Sequence, residues 1–346
     1  MNRAGRTMGI AAVALLSAAV PTSAATRPVA RAGSQAAAPA GRIITDDLGR
    51  RVAMPAQVNR IVTLAPSLTE IVYALGLEDK LAGDTNECDA PIAAKSKPHV
   101  GDMQNPNLES IVALHPDIVL ATTSINRVDT ADSLTRLGIP VYTTDGEFRT
   151  VLGMLDSIGR MADLIGAKAQ GTDLVAGLRA RLDALHARLE DRPMAHVLFV
   201  VWPDPLLSVG QNVFIADALR WAGAESVVLS KQNWPRLSME EVVRLQPEYI
   251  VIESDHSQSG DAELTDLRSR SGWRDLDAVI TGRVIEVSEE AIRPSPGLVD
   301  EIEKLARRVH PEAFSETTEK RDSKYEARAE IDAAAKSAGE SVQCAR

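Results

Sequence analysis

The chain has 346 residues, of which 45% are hydrophobic and 25% are charged. This length suits two domains rather than one, and the composition is typical of a globular protein with sizeable cores. Acidic residues outnumber basic residues by 48 to 38, so the chain repels phosphates and we exclude nucleic acid as a partner. Only two cysteines are present, which excludes a disulfide scaffold and a cysteine-based zinc site.

The N-terminus has the pattern of a cleavable secretory signal. Arg3 and Arg6 precede an uncharged apolar run over residues 9–20, and small residues follow it up to Ala25. We therefore predict a signal peptide over residues 1–25 and export of the mature chain to the periplasm. The next segment, residues 26–42, is rich in Ala, Pro, Gly and Ser and is predicted to be a disordered linker.

Short β-branched runs alternate with helical periods along the rest of the chain. The predicted strands are Arg60–Leu64, Asp117–Ala121, Val141–Thr144, His196–Trp202, Ser226–Leu229, Tyr249–Glu253 and Val284–Ser288. This alternation indicates βα units and an α/β fold with mostly parallel sheets. One helix start is predicted from a capping box over Ser67–Glu70. The charged, Ala-rich residues 311–346 show no strand pattern, and we expect the core to end near His310.

One stretch of sequence occurs twice. Residues 107–120 and 238–251 both show a cap, a helical run, a proline turn and a strand, and Pro116 corresponds to Pro247. A duplicated unit 131 residues apart predicts two Rossmann-like lobes of related topology, over residues 43–166 and 193–310.

A long helix is predicted between the two copies. Five leucines, at positions 174, 178, 182, 185 and 189, recur every three or four residues and form one apolar stripe. A helix from Ala167 to Glu190 would be about 36 Å long, and we assign residues 167–192 as one long backbone helix that joins the lobes. A single stiff connector limits how far two lobes swing.

Motifs of several large enzyme classes are missing. The sequence contains no Gly-x-Ser-x-Gly elbow, no phosphate-binding loop ending in Gly-Lys-Ser/Thr and no His-Glu-x-x-His. We therefore predict that the protein is not an enzyme and has no resident metal. Two lobes in an exported chain point instead to a ligand held between them.

Several segments, in order along the chain, carry a family resemblance. These are Thr45–Val52, Arg60–Glu70, Cys88–Pro91, Val100–Asp102, Asn107–Glu109, Trp202–Gly210, Ala222–Gly223 and Arg293–Pro296. Over residues 43–310 the chain resembles the helical-backbone (class III) periplasmic binding proteins of ABC importers, and within them the vitamin B12-binding branch. The resemblance implies capture of a corrinoid between the lobes and delivery to an ABC permease.

Residues of the matching motifs and the loops beside them are the candidate ligand contacts that the resemblance implies. They are Pro66, Ser67, Glu87, Cys88, Asp89, Met103, Trp202, Trp234, Arg293 and Ser295. Arg293 offers hydrogen bonds to amides or carboxylates, and Trp234 offers a flat ring in a polar turn. Glu87 and Met103 stand where the family commonly has a tyrosine and a tryptophan.

Glu109 and Glu240 occupy equivalent positions in the duplicated unit. An acidic residue in the first turn of a helix also complements the helix dipole. In the resembling family, glutamates at these positions bind arginines of two permease subunits, and we expect the same docking here.

The bound ligand is the least determined feature. The alternatives within the class are haem and a ferric siderophore, and family members also carry oxyanions. A different class of function also fits the fold: an exported enzyme, a cofactor chaperone or a sensor partner. We expect this protein to be a monomer with no intrinsic cofactor and a small-molecule chelate as its ligand.

Overall fold

The computed structural model describes residues 41–253, 265 and 267–315. The predicted signal peptide, nearly all of the predicted linker, Cys344 and most of the C-terminal tail lie outside these residues. Every helix within them is too short or too polar to cross a membrane.

The N-terminal lobe contains a four-stranded parallel sheet in the order β4-β3-β5-β6. Its strands are β3 (Ile61–Thr63), β4 (Leu81–Gly83), β5 (Ile118–Thr122) and β6 (Val141–Thr144). A small antiparallel hairpin, β1 (Ile43–Thr45) and β2 (Arg51–Ala53), precedes the sheet. The hairpin is fixed to the lobe by Asp47, which accepts hydrogen bonds from Tyr142 and Thr144.

The C-terminal lobe repeats this strand order. Its parallel strands run β9-β7-β10-β11, and one further strand, β8, pairs antiparallel with the end of β7. The strands are β7 (Ala195–Pro203), β8 (Leu206–Ser208), β9 (Ala224–Ser226), β10 (Tyr249–Glu253) and β11 (Val284–Val287).

Helices cover both sheets. They are α1 (Pro66–Ala74), α2 (Leu108–Ala113), α3 (Val128–Arg136), α4 (Val151–Leu164), α5 (Lys168–Leu189), α6 (Phe214–Trp221), α7 (Met239–Leu245), α8 (Asp277–Ile280) and α9 (Leu298–Val309). Short 3-10 helices lie at Glu78–Lys80, Ile92–Ser96, Trp273–Asp275, Glu289–Ile292 and Pro311–Phe314.

The duplicated sequence unit forms a duplicated structure. β5 and β10 are offset by the same 131 residues as the two copies, and α2 and α7 begin at caps on Asn107 and Ser238. His115 and Gln246 end these helices in the left-handed conformation, with φ of 46° and 45°, a common helix stop. The prediction of two related lobes in an α/β fold is therefore confirmed.

α5 is the predicted connecting helix. It spans 22 residues, about 33 Å, and it packs on α4 of the first lobe and on α6 and α9 of the second. Leu178, Leu182, Leu185 and Leu189 are buried, while Leu174 is only partly buried. The main hydrophobic core therefore runs through both lobes along this helix.

The predicted capping box at the start of α1 is wrong. The N-cap is Ala65, without a side-chain cap, and Pro66 is the first helical residue. The fixed φ of proline suits that position, so the helix begins before Ser67 and leaves this hydroxyl inside the first turn. Glu70 instead forms an ion pair with a residue of the other lobe.

Two other boundaries differ from prediction. The second predicted strand of the C-terminal lobe is β9, which lies at Ala224–Ser226 rather than Ser226–Leu229. Tertiary pairing with β7 decides this position. The core also extends past His310, since Ala313 is fully buried and Phe314 packs against the core. The guanidinium groups of Arg188 and Arg307 lie over the Phe314 ring and hold it by cation–π interactions.

Candidate ligand-binding cleft

A cavity of about 440 Å³ lies between the two lobes, within the usual size range of ligand pockets. Its walls come from loops at the carboxyl ends of parallel strands in both sheets, where ligands bind in open α/β folds. The lining residues are Pro66, Ser67, Met103, Ser124, Ile125, Gly146, Glu147, Phe148 and Arg149 from the N-terminal lobe, and Val201, Asn212, Val213, Phe214, Asn233, Trp234, Glu289, Ile292, Arg293 and Pro294 from the C-terminal lobe.

Much of the wall is apolar and aromatic. Phe148 and Phe214 face the cavity from opposite lobes, and Trp234 lines it with about half of its surface exposed. Met103 and Ile125 add aliphatic surface. Asn212 and Asn233 supply amide donors and acceptors. Such a wall suits a large, flat and partly apolar ligand with polar substituents.

Arg293 forms an ion cluster at the edge of the cavity. Its guanidinium lies 2.5 Å from Glu289 of its own lobe, 3.0 Å from Glu70 and 3.3 Å from Asp89 of the other lobe. Only 9% of the Arg293 side chain is exposed. The guanidinium therefore bonds protein carboxylates on both sides of the cleft.

The cluster carries three carboxyl groups for one cation. Burial raises the pKa of Glu70, and the Ser295 hydroxyl and the Arg293 guanidinium oppose that effect. Burial alone would lower the pKa of Arg293, but the nearby Glu289, Glu70 and Asp89 outweigh it and raise the pKa. Arg293 therefore stays charged, and its charge is balanced within the protein.

Two backbone-mediated contacts join the lobes at another part of the wall. The Phe214 amide donates to the Phe148 carbonyl at 2.9 Å. The amide of Val151, the first residue of α4, donates to Asp217 of α6 at 2.8 Å, so a C-lobe carboxylate caps an N-lobe helix. Between Asn233 and Glu147 the amide nitrogen and carboxylate oxygen are 3.5 Å apart.

Five of the ten predicted ligand contacts line the cavity: Pro66, Ser67, Met103, Trp234 and Arg293. Two others lie behind the wall in the ion cluster. Asp89 pairs with Arg293, and Ser295 is fully buried beside Glu70. Neither residue is among those that line the cavity, and their contact with a ligand stays a prediction.

Three other predicted ligand contacts, Glu87, Cys88 and Trp202, are not among the residues that line the cavity. Glu87 accepts a hydrogen bond from the Met103 amide at 3.2 Å and so supports the loop that carries Met103. Cys88 is 1% exposed, and Thr69 and Thr85 lie within hydrogen-bonding distance of its sulfur. Burial raises the pKa of the Cys88 thiol, and those hydrogen bonds only partly oppose it, so the thiol stays protonated. Trp202 remains in β7, 59% exposed, and its indole donates to the Asp204 carbonyl.

Sequence reasoning missed both phenylalanines and Glu70. Phe148 follows the end of β6, and Phe214 is the first residue of α6. The chain has only four phenylalanines, so a phenylalanine at each of these places was a sequence signal for an aromatic cleft wall. Glu70 gave no such signal, because the partner that defines its role is 223 residues away.

Glu109 and Glu240 are exposed, each as the second residue of its helix. Asn107 accepts a hydrogen bond from the Ser110 amide at 3.0 Å, and Ser238 forms a capping box with Glu241. In a βα unit the helix begins at the same edge of the sheet as the cleft loops. The two carboxylates are therefore presented at matching places on the two lobes.

Comparisons with known proteins agree with this architecture. Residues 61–291 match the family model described as periplasmic binding protein. The chain is 30% identical to the substrate-binding lipoprotein YvrC of an ABC transporter in Bacillus subtilis, over 79% of this chain and 87% of that protein. It is 32% identical to a vitamin B12-binding protein of Vibrio campbellii, over 60% of this chain and 74% of that protein. A periplasmic haem-binding protein from Pseudomonas aeruginosa has a similar structure, with a TM-score of 0.66 and 27% identity over 73% of this chain and 93% of that chain.

Proposed function

We propose that this chain, which belongs to the periplasmic binding protein family, captures a corrinoid in its inter-lobe cleft and delivers it to an ABC permease. Its relatives include the substrate-binding component of an ABC transporter and a vitamin B12-binding protein. The family consists of binding proteins that work outside the cytoplasm, and we infer a periplasmic location and a monomer for this chain.

The net charge of the cleft is the observation that favours a corrinoid over a ligand with carboxylates. Arg293 is already paired with three carboxylates, and Glu147 adds another acidic group to the wall, with Arg149 as the second cation. A ligand with carboxylates of its own would therefore meet a net negative site. A corrinoid carries neutral amide side chains, which Asn212 and Asn233 can bind by hydrogen bonds.

Haem is the second candidate, because the similar Pseudomonas protein is named as a haem binder. Haem in proteins is held through iron by His, Cys, Met or Tyr. Among the described residues that line the cavity, Met103 is the only one of these four types. Haem also carries two propionates, which the charge balance disfavours, so we rank it below a corrinoid.

The decisive test is a titration of the purified mature protein with cyanocobalamin, hemin and a ferric siderophore, followed by Trp fluorescence and calorimetry. We expect one-to-one binding of cyanocobalamin with a dissociation constant of about 1 µM or lower. Tight binding of hemin or the siderophore alone would contradict the choice of ligand. Recovery of chemically unchanged cyanocobalamin is expected for a binding protein, and conversion of it would indicate an enzyme.

Trp234 gives a site-specific prediction. Trp234→Ala removes a flat ring from the wall, and we expect cyanocobalamin affinity to fall by about 10-fold to 100-fold, since buried aromatic contacts contribute about 1.5–3 kcal/mol. Trp202→Ala is the matched control, because it deletes the same side chain from a site outside the cavity. Equal losses in both variants would show that Trp234 is not a specific part of the cleft.

A further inference from the structure

Arg293 is a charged residue that connects the two lobes at the cleft. We propose that Arg293 is a tether that sets the spacing between the cleft walls in the ligand-free protein, and that it is a positioning residue without direct contact to the ligand. This inference rests on the proposed function only in taking the cleft as the ligand site.

The geometry of the guanidinium supports a bridging role. Nη2 bonds Glu289, four residues earlier on the same lobe, which fixes the orientation of the side chain. Nη1 then reaches Glu70 of the other lobe at 3.0 Å, and Asp89 lies 3.3 Å from Nη2. A planar fork with several donors can span separate carboxylates in this way, whereas the single ammonium of a lysine is a point charge.

Burial makes the contact between the lobes specific. The side chains of Arg293 and Glu70 are 9% and 10% exposed. A buried ion pair contributes little net stability, but removing one partner leaves the other charge uncompensated and is costly. The lobes therefore have one favoured spacing, in which Glu70 and Arg293 meet.

The tether is directly linked to both walls of the cavity. Arg293 and Glu289 line the C-terminal wall. Glu70 lies one turn after Pro66 and Ser67, which line the N-terminal wall. A change in the Glu70–Arg293 distance therefore moves α1 and its wall residues relative to the other lobe. The backbone hydrogen bond from Phe214 to Phe148 holds a second part of the wall, so the tether controls the spacing only on its own side of the cavity.

The test measures lobe spacing without ligand. Nitroxide labels at Lys95→Cys and Lys231→Cys, one exposed site on each lobe, report the inter-lobe distance distribution by pulsed electron paramagnetic resonance. Cys344→Ser removes a competing thiol, and Cys88 is too buried to label. We expect Arg293→Met to broaden the distribution and shift it to longer distances. Glu70→Gln should act in the same direction, and the double variant should add little to either, as expected for a shared interaction.

Two further variants separate the tether from a general structural effect. Arg293→Lys keeps the charge and should restore part of the wild-type distribution. Arg149→Met removes the other arginine that lines the cavity, on the N-terminal wall and outside the ion cluster, and should leave the distribution unchanged. Circular dichroism checks folding, and Glu70→Gln carries the test if Arg293→Met does not fold.

Cyanocobalamin titrations of the same variants distinguish the possible failures. A wild-type distribution in Arg293→Met and Glu70→Gln would overturn the tether. So would a loss of cyanocobalamin affinity in Arg293→Met with none in Glu70→Gln, since that pattern indicates direct contact with the ligand. A widened distribution in a protein that does not bind cyanocobalamin would support the tether and overturn only the proposed ligand.

Discussion

At the scale of single residues, Asp84 is the clearest case of a buried charge outside the cleft. Its side chain is fully buried, one oxygen lies 2.7 Å from His99 Nδ1, and the other oxygen has no hydrogen-bond partner. Burial raises the pKa of Asp84 to about 6, against the opposing effects of His99 and Lys97. The carboxyl group therefore changes charge in the mildly acidic range.

This shift predicts a pH-dependent stability. A raised folded pKa stabilises the protein most below the ordinary pKa of aspartate, and that stabilisation is lost as pH rises through about 6. Asp84→Asn removes the titration, so its stability relative to wild type should rise between about pH 4 and about pH 7, by at most about 3 kcal/mol. Urea unfolding across this range measures the difference.

Asp79→Asn is the matched control for Asp84→Asn, because Asp79 is an exposed carboxylate in the 3-10 helix Glu78–Lys80 of the same lobe. It should follow the wild-type stability profile. A constant difference between Asp84→Asn and wild type at every pH would show that Asp84 does not titrate in this range.

At the scale of elements, α5 shows how one helix serves two lobes. Its buried leucines lie in the core that both lobes share, and it has no side-chain N-cap. Packing rather than capping therefore stabilises this helix. The leucine stripe predicted its position almost to the residue because a helical period is a local property of the sequence.

Leu182→Ala tests this packing. Leu182 is 0% exposed, so its truncation leaves a cavity and should cost about 2–5 kcal/mol in the free energy of unfolding. Leu174→Ala, on the same helix at a partly buried position, should cost clearly less. Chemical denaturation compares the two, and similar small losses would mean that the centre of α5 is not tightly packed.

At the scale of the whole molecule, the duplicated unit places one exposed glutamate at the same position in each lobe. Glu109 and Glu240 each follow a capped helix start by two residues and are exposed. We infer that they form charge-assisted bonds with arginines of the permease. Neither glutamate is among the residues that line the cavity, so we expect substitutions at these positions to affect docking and not ligand binding.

Glu109→Ala and Glu240→Ala should therefore leave cyanocobalamin affinity unchanged and strongly reduce uptake in cells that depend on imported cobalamin. Each substitution removes one charged contact, and the double variant should abolish uptake. Glu190→Ala, an exposed glutamate at the end of α5, is the control that should transport normally. Normal uptake by the double variant would contradict the docking role.

The sequence by itself determined the α/β class, the duplicated unit and the connecting helix. β6 and β10 match their predicted bounds, and the caps at Asn107 and Ser238 formed as expected. These features depend on periodicity, caps and proline turns, which act over a few residues and are therefore visible in one chain. The motifs also identified the family, which the comparison over residues 61–291 confirmed.

Only the tertiary structure decided which candidate residues form the cleft. Trp202 and Trp234 both follow strand-like segments, yet Trp202 stays exposed in β7 and Trp234 lines the cavity. Arg293 also lines the cavity, and Glu70 and Asp89 of the other lobe form ion pairs with it. These outcomes depend on contacts between residues about 200 positions apart, and the local sequence patterns that define helices and strands do not specify such contacts.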